Sequence, residues 1–211
     1  MWPLLHHVRR SLFAYVIVIT YASVAGAQPA PDGLTVSSNQ DAELCRPKGR
    51  CFIPESDDPI FIGDVIETFA AGRFDFLLPG TARILLLSSG KIRIDRGTVQ
   101  MVEIELLGGM VTVETFTEKP LDVTLADLRC RVSSGPVAIS YQMLDKRNGS
   151  ASVANGNGSA TCFSTEGPTH VVERNTVVDF YEGRAEARHS VAEGFWTSFL
   201  PPREEPKRWP P

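Results

Sequence analysis

The stretch that decides the fold class is TVQMVEIELLGGMVTVETF, residues 98–116. In its first half two sets of positions alternate: Val102, Ile104 and Leu106 against Met101, Glu103 and Glu105. Side chains two residues apart share one face of a β-strand, so one face here is apolar and the other is largely charged. We therefore predict two half-buried strands, Thr98–Leu107 and Met110–Phe116, on either side of Gly108-Gly109.

Further predicted strands lie on both sides of this stretch. Short β-rich runs are bounded by glycine, serine, asparagine or proline: Phe74–Leu78, Ala82–Leu87, Lys91–Asp95, Leu121–Leu125, Pro136–Met143, Thr169–Val172 and Thr176–Tyr181. Helical periodicity is scarce, and its best candidate, Arg184–Phe199, is irregular. Asn148–Ala160, which is rich in Gly, Ser, Asn and Ala, is predicted to be a loop or a weak strand tip. The chain is therefore predicted to be all-β.

A short unit recurs along the chain, in which a glycine precedes small or apolar residues at the second and fourth positions. Its copies are Gly72-Phe74-Phe76, Gly90-Ile92-Ile94, Gly97-Val99-Met101, Gly109-Val111-Val113, Gly135-Val137-Ile139, Gly149-Ala151-Val153 and Gly183-Ala185-Ala187. Each copy is typical of a turn that leads into a strand, because glycine tolerates positive φ. Stacked copies predict a β-solenoid-like domain with a continuous apolar seam. The alternative is an antiparallel β-sandwich, in which glycines also occupy turns.

The N-terminus has the three-part layout of a secretory signal peptide. A basic stretch ending at Arg10 is followed by the apolar run Leu12–Val24 and by the small residues Ala25-Gly26-Ala27. We expect cleavage after Ala27, which makes the protein periplasmic or secreted rather than an integral membrane protein. The alternative is an uncleaved anchor, because Ser11–Ala27 carries no charged residue.

Charge and length limit the function classes. Removing residues 1–27 takes away two arginines and no acid, so the net charge moves from −4 to −6. An acidic protein without a basic patch is a poor match for nucleic acid, which we exclude as a partner. The predicted layout is a linker with a small cysteine loop (28–59), one all-β domain (60–195), and an aromatic cap with a Pro-rich, disordered tail (196–211).

Four cysteines follow the predicted cleavage point, an even number that suits an oxidising compartment. Three pairings are open, and we favour the local one, Cys45 with Cys51 and Cys130 with Cys162. A metal site at Cys45 and Cys51 is the weaker alternative, because their spacing is not that of a zinc knuckle.

Several segments resemble the FecR-type domain, in which a Gly-Asp-x-Ile-x-Thr element precedes a Gly-Arg pair and an apolar strand. The matching segments are Ile62–Thr68, Ala71–Arg73, Pro79–Ile84, Ile104–Val113, Val177–Ala187 and Val191–Gly194. The resemblance covers roughly residues 60–195 and rests on glycines and alternating apolar positions. Only eleven residues precede the apolar run, so we expect a stand-alone exported form without the cytoplasmic anti-sigma region.

The resemblance implies an all-β domain of the bacterial envelope that binds or signals without chemistry of its own. Its expected partner is an envelope protein or a cell-wall polymer, and no cofactor or metal is implied. A purely structural surface protein is a further alternative.

Catalytic signals are weak. His170 and His189 are the only histidines after residue 27, and no nucleophile elbow, zinc-binding helix or phosphate loop is present. Carboxylate pairs, Glu103 with Glu105 and Glu114 with Glu118, are the residues that an exported cell-wall hydrolase would need. We interpret them as a solvated sheet face and predict that the protein is not an enzyme.

Aromatic residues cluster near the C-terminus: Phe180, Tyr181, Phe195, Trp196 and Phe199. They are candidates for a partner-docking or carbohydrate-stacking patch. The alternative, which we favour, is that they cap the open end of the β core.

Overall fold

The computed structural model describes residues 30–96, 102–116, 119–144, 149–164, 167–192 and 194–196. These ranges contain seventeen strands: β1 (Gly33–Ser38), β2 (Ala42–Cys45), β3 (Cys51–Phe52), β4 (Pro59–Ile60), β5 (Val65–Thr68), β6 (Phe74–Leu78), β7 (Ala82–Leu86), β8 (Lys91–Arg96), β9 (Val102–Thr115), β10 (Leu121–Thr124), β11 (Leu128–Ser134), β12 (Val137–Met143), β13 (Gly149–Asn155), β14 (Ser159–Ser164), β15 (Thr169–Val172), β16 (Thr176–Tyr181) and β17 (Arg184–Ser190). The predicted all-β class is confirmed.

Two predicted segments, the signal peptide and the Pro-rich tail, lie outside the described residues. Within the described ranges, no helix has both the length and the apolar character needed to cross a membrane.

The strands form two sheets that share β9. Sheet A has the order β4-β1-β6-β7-β9-β12-β13-β16-β17, and sheet B has the order β3-β2-β5-β8-β9-β10-β11-β14-β15. The pairs are antiparallel except β9 with β10, which is parallel. Apart from β3 and β4, the strands of each sheet follow one another in chain order. The strands are thus stacked in the order in which they occur along the chain. Their antiparallel pairing is typical of a β-sandwich, whereas the coils of a β-solenoid pair in parallel.

The long strand β9 connects the two sheets. Its first half pairs with β8 and β10 in sheet B, and from Gly109 onward it pairs with β7 and β12 in sheet A. The two strands predicted for this stretch are therefore one strand that changes sheets. Gly109 has a φ of 83°, and a Cβ atom there would lie 2.4 Å from the Cα of Gly90. Only glycine fits this crossing point.

The inward faces of both sheets form one apolar core. The seam predicted from the glycine-led units is present in five copies, whose apolar residues are all buried: Phe74 and Phe76, Ile92 and Ile94, Val111 and Val113, Val137 and Ile139, and Ala151 and Val153. The unit at Gly183 differs, because Ala185 and Ala187 are exposed on β17 at the edge of sheet A. The unit at Gly97 lies outside the described residues.

The prediction of a linker over residues 28–59 is wrong for its larger part, because β1 to β4 lie there. β1 pairs with β6, and β2 pairs with β5, while Ala42 and Leu44 are fully buried in the core. These strands are short and their partners are distant in sequence, so their stability comes from sheet pairing that local composition does not report. The domain begins near Gly33, not at residue 60.

Two further predictions near the C-terminus are corrected. Most of Asn148–Ala160 forms β13 and the start of β14, and the first part of the helix candidate Arg184–Phe199 is the edge strand β17. Small residues in β13 have a packing reason: a Cβ atom on Gly149 would lie 2.1 Å from the ring of Tyr141. A composition that resembles a loop is here the result of close contact between neighbouring strands.

Candidate functional site

The predicted disulfides are both formed, Cys45 with Cys51 and Cys130 with Cys162, and no free cysteine remains in the described residues. Cys45 and Cys51 occupy facing positions of β2 and β3 and close a five-residue turn. Glu43 lies close to both sulfur atoms. The metal alternative fails here, because both sulfurs are committed to the disulfide bond and no thiolate is available as a ligand.

Arg46, the first residue of this turn, is held by a buried carboxylate. Its guanidinium group forms an ion pair with Asp64, which is fully buried, and donates a hydrogen bond of 2.6 Å to the carbonyl oxygen of Pro59. The same group lies 4.8 Å from the ring centre of Phe61 and 5.6 Å from that of Phe52. Cation–π contacts and a charge-assisted hydrogen bond thus fix one side of the turn.

Asp64 and Gly63 provide the platform below the turn. Burial raises the pKa of Asp64, although the hydrogen bond from the backbone N–H of Phe61 and the charge of Arg46 act in the opposite direction. Gly63 has a φ of 91°, and a Cβ atom on it would lie 2.8 Å from Cγ of Pro47. The Gly-Asp pair in the FecR-like segment therefore seats the disulfide turn.

The outer part of the turn faces solvent. All residues from Pro47 to Ile53 are exposed, and they include two large apolar side chains, Phe52 (36%) and Ile53 (54%). Lys48 and Arg50 form no ion pair with any acidic group in the described ranges. We call residues 47–53 the disulfide tip.

The second disulfide lies in the core. Cys130 and Cys162 are fully buried and directly opposite each other on β11 and β14. His170 faces Cys162 from β15, and its ring contacts Phe180 edge-on at 5.6 Å. This disulfide links the last strands of sheet B to its centre.

The candidate carboxylates Glu103 and Glu105 lie on the outer face of sheet B among arginines. Glu105 forms an ion pair with Arg93, and Glu103 lies 3.7 Å from Arg129. The placement is that of a charged sheet face, as the sequence predicted.

The centre of this face is Asp122, which the sequence analysis missed. It accepts hydrogen bonds from Arg129 at 2.5 Å and from Arg131 at 2.9 Å. Burial alone would raise the pKa of Asp122, but the hydrogen bonds from Arg131 and Arg129 and the charges of these two groups together outweigh burial and lower the pKa. The sequence signal that could have indicated this cluster is the pair Arg129 and Arg131, which lie two residues apart and so share one face of a strand.

The other candidate acid and base residues lie elsewhere. Glu114 is in the part of β9 that belongs to sheet A, opposite Arg83. His189, on β17, lies 3.6 Å from Asp179, whereas His170 is on β15 of the other sheet. Glu118 lies outside the described residues. The structure brings Glu103 and Glu105 together on one face but separates them from Glu114, which lies on the other sheet.

The C-terminal aromatic residues do not form one patch. Phe180 and Tyr181 alternate on β16, so Phe180 lies in the core while Tyr181 is exposed. Phe195 and Trp196 contact each other edge-on at 5.0 Å, and the indole of Trp196 approaches Gly156 at the end of β13. This second pair thus lies against the connection between β13 and β14, while Phe199 lies outside the described residues.

No protein-family model matches the sequence, and no curated protein is significantly similar to it. The fold is similar to that of two crystal structures, at 1.65 Å and 2.50 Å resolution, each of a candidate anti-sigma factor from Parabacteroides distasonis ATCC 8503. The TM-score is 0.51 for both, at 14% and 15% sequence identity. The similarity covers 64% of this chain but only 63% and 62% of those chains, so this chain spans less than two thirds of their length. At this identity, the similarity shows a shared fold.

Proposed function

We propose that this chain is a non-catalytic binding or signalling module of FecR-like type that works outside the cytoplasm in the bacterial envelope. The observation that carries the proposal is the fold shared with the candidate anti-sigma factor structures. Because one fold hosts many functions, the proposal also needs support from local features of this chain.

Two local features support the proposal. Both disulfides are formed, and disulfides persist in oxidising compartments such as the periplasm. The Gly63-Asp64 pair, which lies in the FecR-like segment, has a defined structural role beneath the disulfide turn. The expected partner remains an envelope protein or a cell-wall polymer.

The placement of the carboxylates supports a role without catalysis. Glu103, Glu105 and Asp122 are engaged by arginines on one sheet face. A retaining or inverting glycosidase needs an acid whose pKa is raised next to an ionised partner. At Asp122 the contacts with Arg129 and Arg131 have the opposite effect, because they lower its pKa.

The test uses the oxidised mature chain, residues 28–211, with two probes: purified cell-wall sacculi and detergent-solubilised envelope proteins. We expect saturable binding to one of them, with no release of soluble wall fragments. Release of fragments that Glu103→Gln with Glu105→Gln abolishes would establish the hydrolase alternative. Absence of saturable binding to either probe would contradict a binding module and favour a purely structural role.

A further inference from the structure

The disulfide tip, residues 47–53, has a composition unlike that of the rest of the protein. The whole chain carries a net charge of −4, yet the tip contains Lys48 and Arg50 and no acidic residue. Phe52 and Ile53 follow directly and are exposed. Cationic and large apolar side chains therefore project from the same short segment.

The tip is held rigidly at its base. The disulfide closes the turn, Asp64 and the carbonyl oxygen of Pro59 hold Arg46, and Pro47 packs on Gly63. A rigid turn keeps its exposed apolar side chains in solvent, where they cannot fold back onto the core. Exposed apolar groups held in this way are typical of an interaction surface.

The acidic residues nearest in sequence are directed to another edge. Residues 55–58 carry three acids, and their backbone packs along β1 of sheet A. There the backbone N–H of Thr35 donates a hydrogen bond of 2.9 Å to the carbonyl oxygen of Asp58. The backbone N–H of Asp57 donates one of 2.8 Å to the carbonyl oxygen of Thr35. The tip contains β3, which lies at the edge of sheet B. Glu43, below the disulfide, is half-buried, so the outermost groups of the tip are cationic and apolar.

We propose that the disulfide tip docks the domain onto the surface of an anionic lipid bilayer. Lys48 and Arg50 lie at the level of the lipid phosphates, while Phe52 and Ile53 enter the interface between headgroups and acyl chains. Basic side chains near an anionic membrane and apolar side chains in its interface both favour binding, and the two effects add. This docking is independent of the partner in the proposed function.

Co-sedimentation of the oxidised mature chain with vesicles tests the proposal. The probes are vesicles of phosphatidylglycerol with phosphatidylcholine, and vesicles of phosphatidylcholine alone. We expect binding to the anionic vesicles that weakens as salt is added, and much weaker binding to the neutral ones. Lys48→Ala with Arg50→Ala should lower the partition coefficient by about 25-fold, since each basic residue contributes on the order of fivefold.

The apolar half of the tip has its own variant. Ile53→Ser should weaken binding several-fold, and it is preferred to a change at Phe52, which contacts Arg46. Matched controls lie at the opposite end of the domain: Arg174→Ala with Arg184→Ala removes the same charge, and Val171→Ser removes an equally exposed apolar group. Both controls should bind as the unchanged protein does.

The proposal is overturned if the unchanged protein does not bind the anionic vesicles, and by any of three further outcomes. The first is that the double variant Lys48→Ala with Arg50→Ala binds the anionic vesicles as tightly as the unchanged protein. The second is that the control variants lose as much binding as the tip variants do. The third is unchanged binding by Ile53→Ser together with equal affinity for a soluble acidic polymer such as polyglutamate, which would make the tip a site for acidic macromolecules. Failure to bind vesicles with retained binding to sacculi or envelope proteins leaves the proposed function intact, so the two failures are distinguishable.

Discussion

At the scale of single residues, the described part of the protein has three buried aspartates that are engaged by arginines: Asp64, Asp75 and Asp122. Asp75 pairs with Arg83 between β6 and β7. Asp64 anchors Arg46 and with it the disulfide turn, while Asp122 joins Arg129 and Arg131 on the outer face of sheet B. Both carboxylates are almost completely buried. A buried charge that loses its partner is costly, so each of these pairs is sensitive to truncation of one side.

Asp64→Ala should lower the free energy of unfolding by about 2–4 kcal/mol, because it leaves the Arg46 guanidinium without its anion. The matched control is Asp95→Ala, whose partner Arg93 is exposed, and which should cost about 0–1 kcal/mol. Urea unfolding of the oxidised proteins provides the comparison. Equal effects of the two substitutions would show that Asp64 does not anchor the turn.

Asp122 gives a pH-dependent prediction. Its folded pKa is lowered, so its contribution to stability is present above the unfolded pKa of about 3.9 and is lost as pH falls through the folded pKa. Asp122→Asn should therefore cost about 1–3 kcal/mol at neutral pH, a range reduced because both arginines are partly exposed.

The difference between the Asp122→Asn variant and the unchanged protein should shrink below about pH 4. Urea unfolding at neutral and at acidic pH measures it, with Asp95→Asn as an exposed control. A difference that stays constant over this range would contradict the role of the ionised carboxylate.

At the scale of elements, the decisive feature is the crossing of β9 from sheet B to sheet A. Gly108 and Gly109 lie at this point, but their environments differ. A Cβ atom on Gly109 would meet backbone atoms of Ser89 and Gly90, whereas one on Gly108 would have no neighbour within 4 Å. The two glycines therefore form a matched pair for mutation.

Gly109→Ala should destabilise the domain by about 3 kcal/mol or more, because it combines a positive φ with a backbone clash. Gly108→Ala should change stability by less than about 1 kcal/mol, with a gain expected since glycine weakens a strand interior. Thermal unfolding of the two variants gives the comparison. Similar losses for both would mean that β9 does not bend as described.

The elements also show what local sequence can and cannot provide. Strands with clear alternation and turn signals, such as β6, β15 and β16, begin and end where the sequence predicts. β1 and β2 were missed because the residues that they pair with in β6 and β5 lie 20–43 positions away, and this pairing leaves no local signal. The ion pair of Arg46 with Asp64 was missed for the same reason, since it joins two short motifs that were considered separately.

At the scale of the whole molecule, the two ends of the stack differ. At the first end, residues 51–60 cover the outer strands β1 and β2 through the short strands β3 and β4. At the other end, β17 is exposed along its whole length and carries a bulge opposite Asp179 and Phe180. Bulges and charged residues are how natural sheets prevent edge-to-edge association, so β17 is a protected edge.

The corrected domain boundary gives a prediction at this scale. A chain that begins at residue 60 lacks β1 and β2, which supply Ala42 and Leu44 to the core and cover β5 and β6. We expect this truncated chain to be unfolded, while a chain that begins at Pro31 folds as the mature protein does. Near-ultraviolet circular dichroism and cooperative urea unfolding decide between them. A folded chain starting at residue 60 would restore the linker interpretation.

The central claim is that this β-domain works outside the cytoplasm, and the most direct test is the state of the full-length chain in intact bacterial cells. After export we expect a mature N-terminus at Gln28, recovery in the extracytoplasmic fraction, and four cysteines that react with a thiol-alkylating reagent only after reduction. A chain retained in the cytoplasm, with an intact N-terminus and cysteines that react without reduction, would contradict the account.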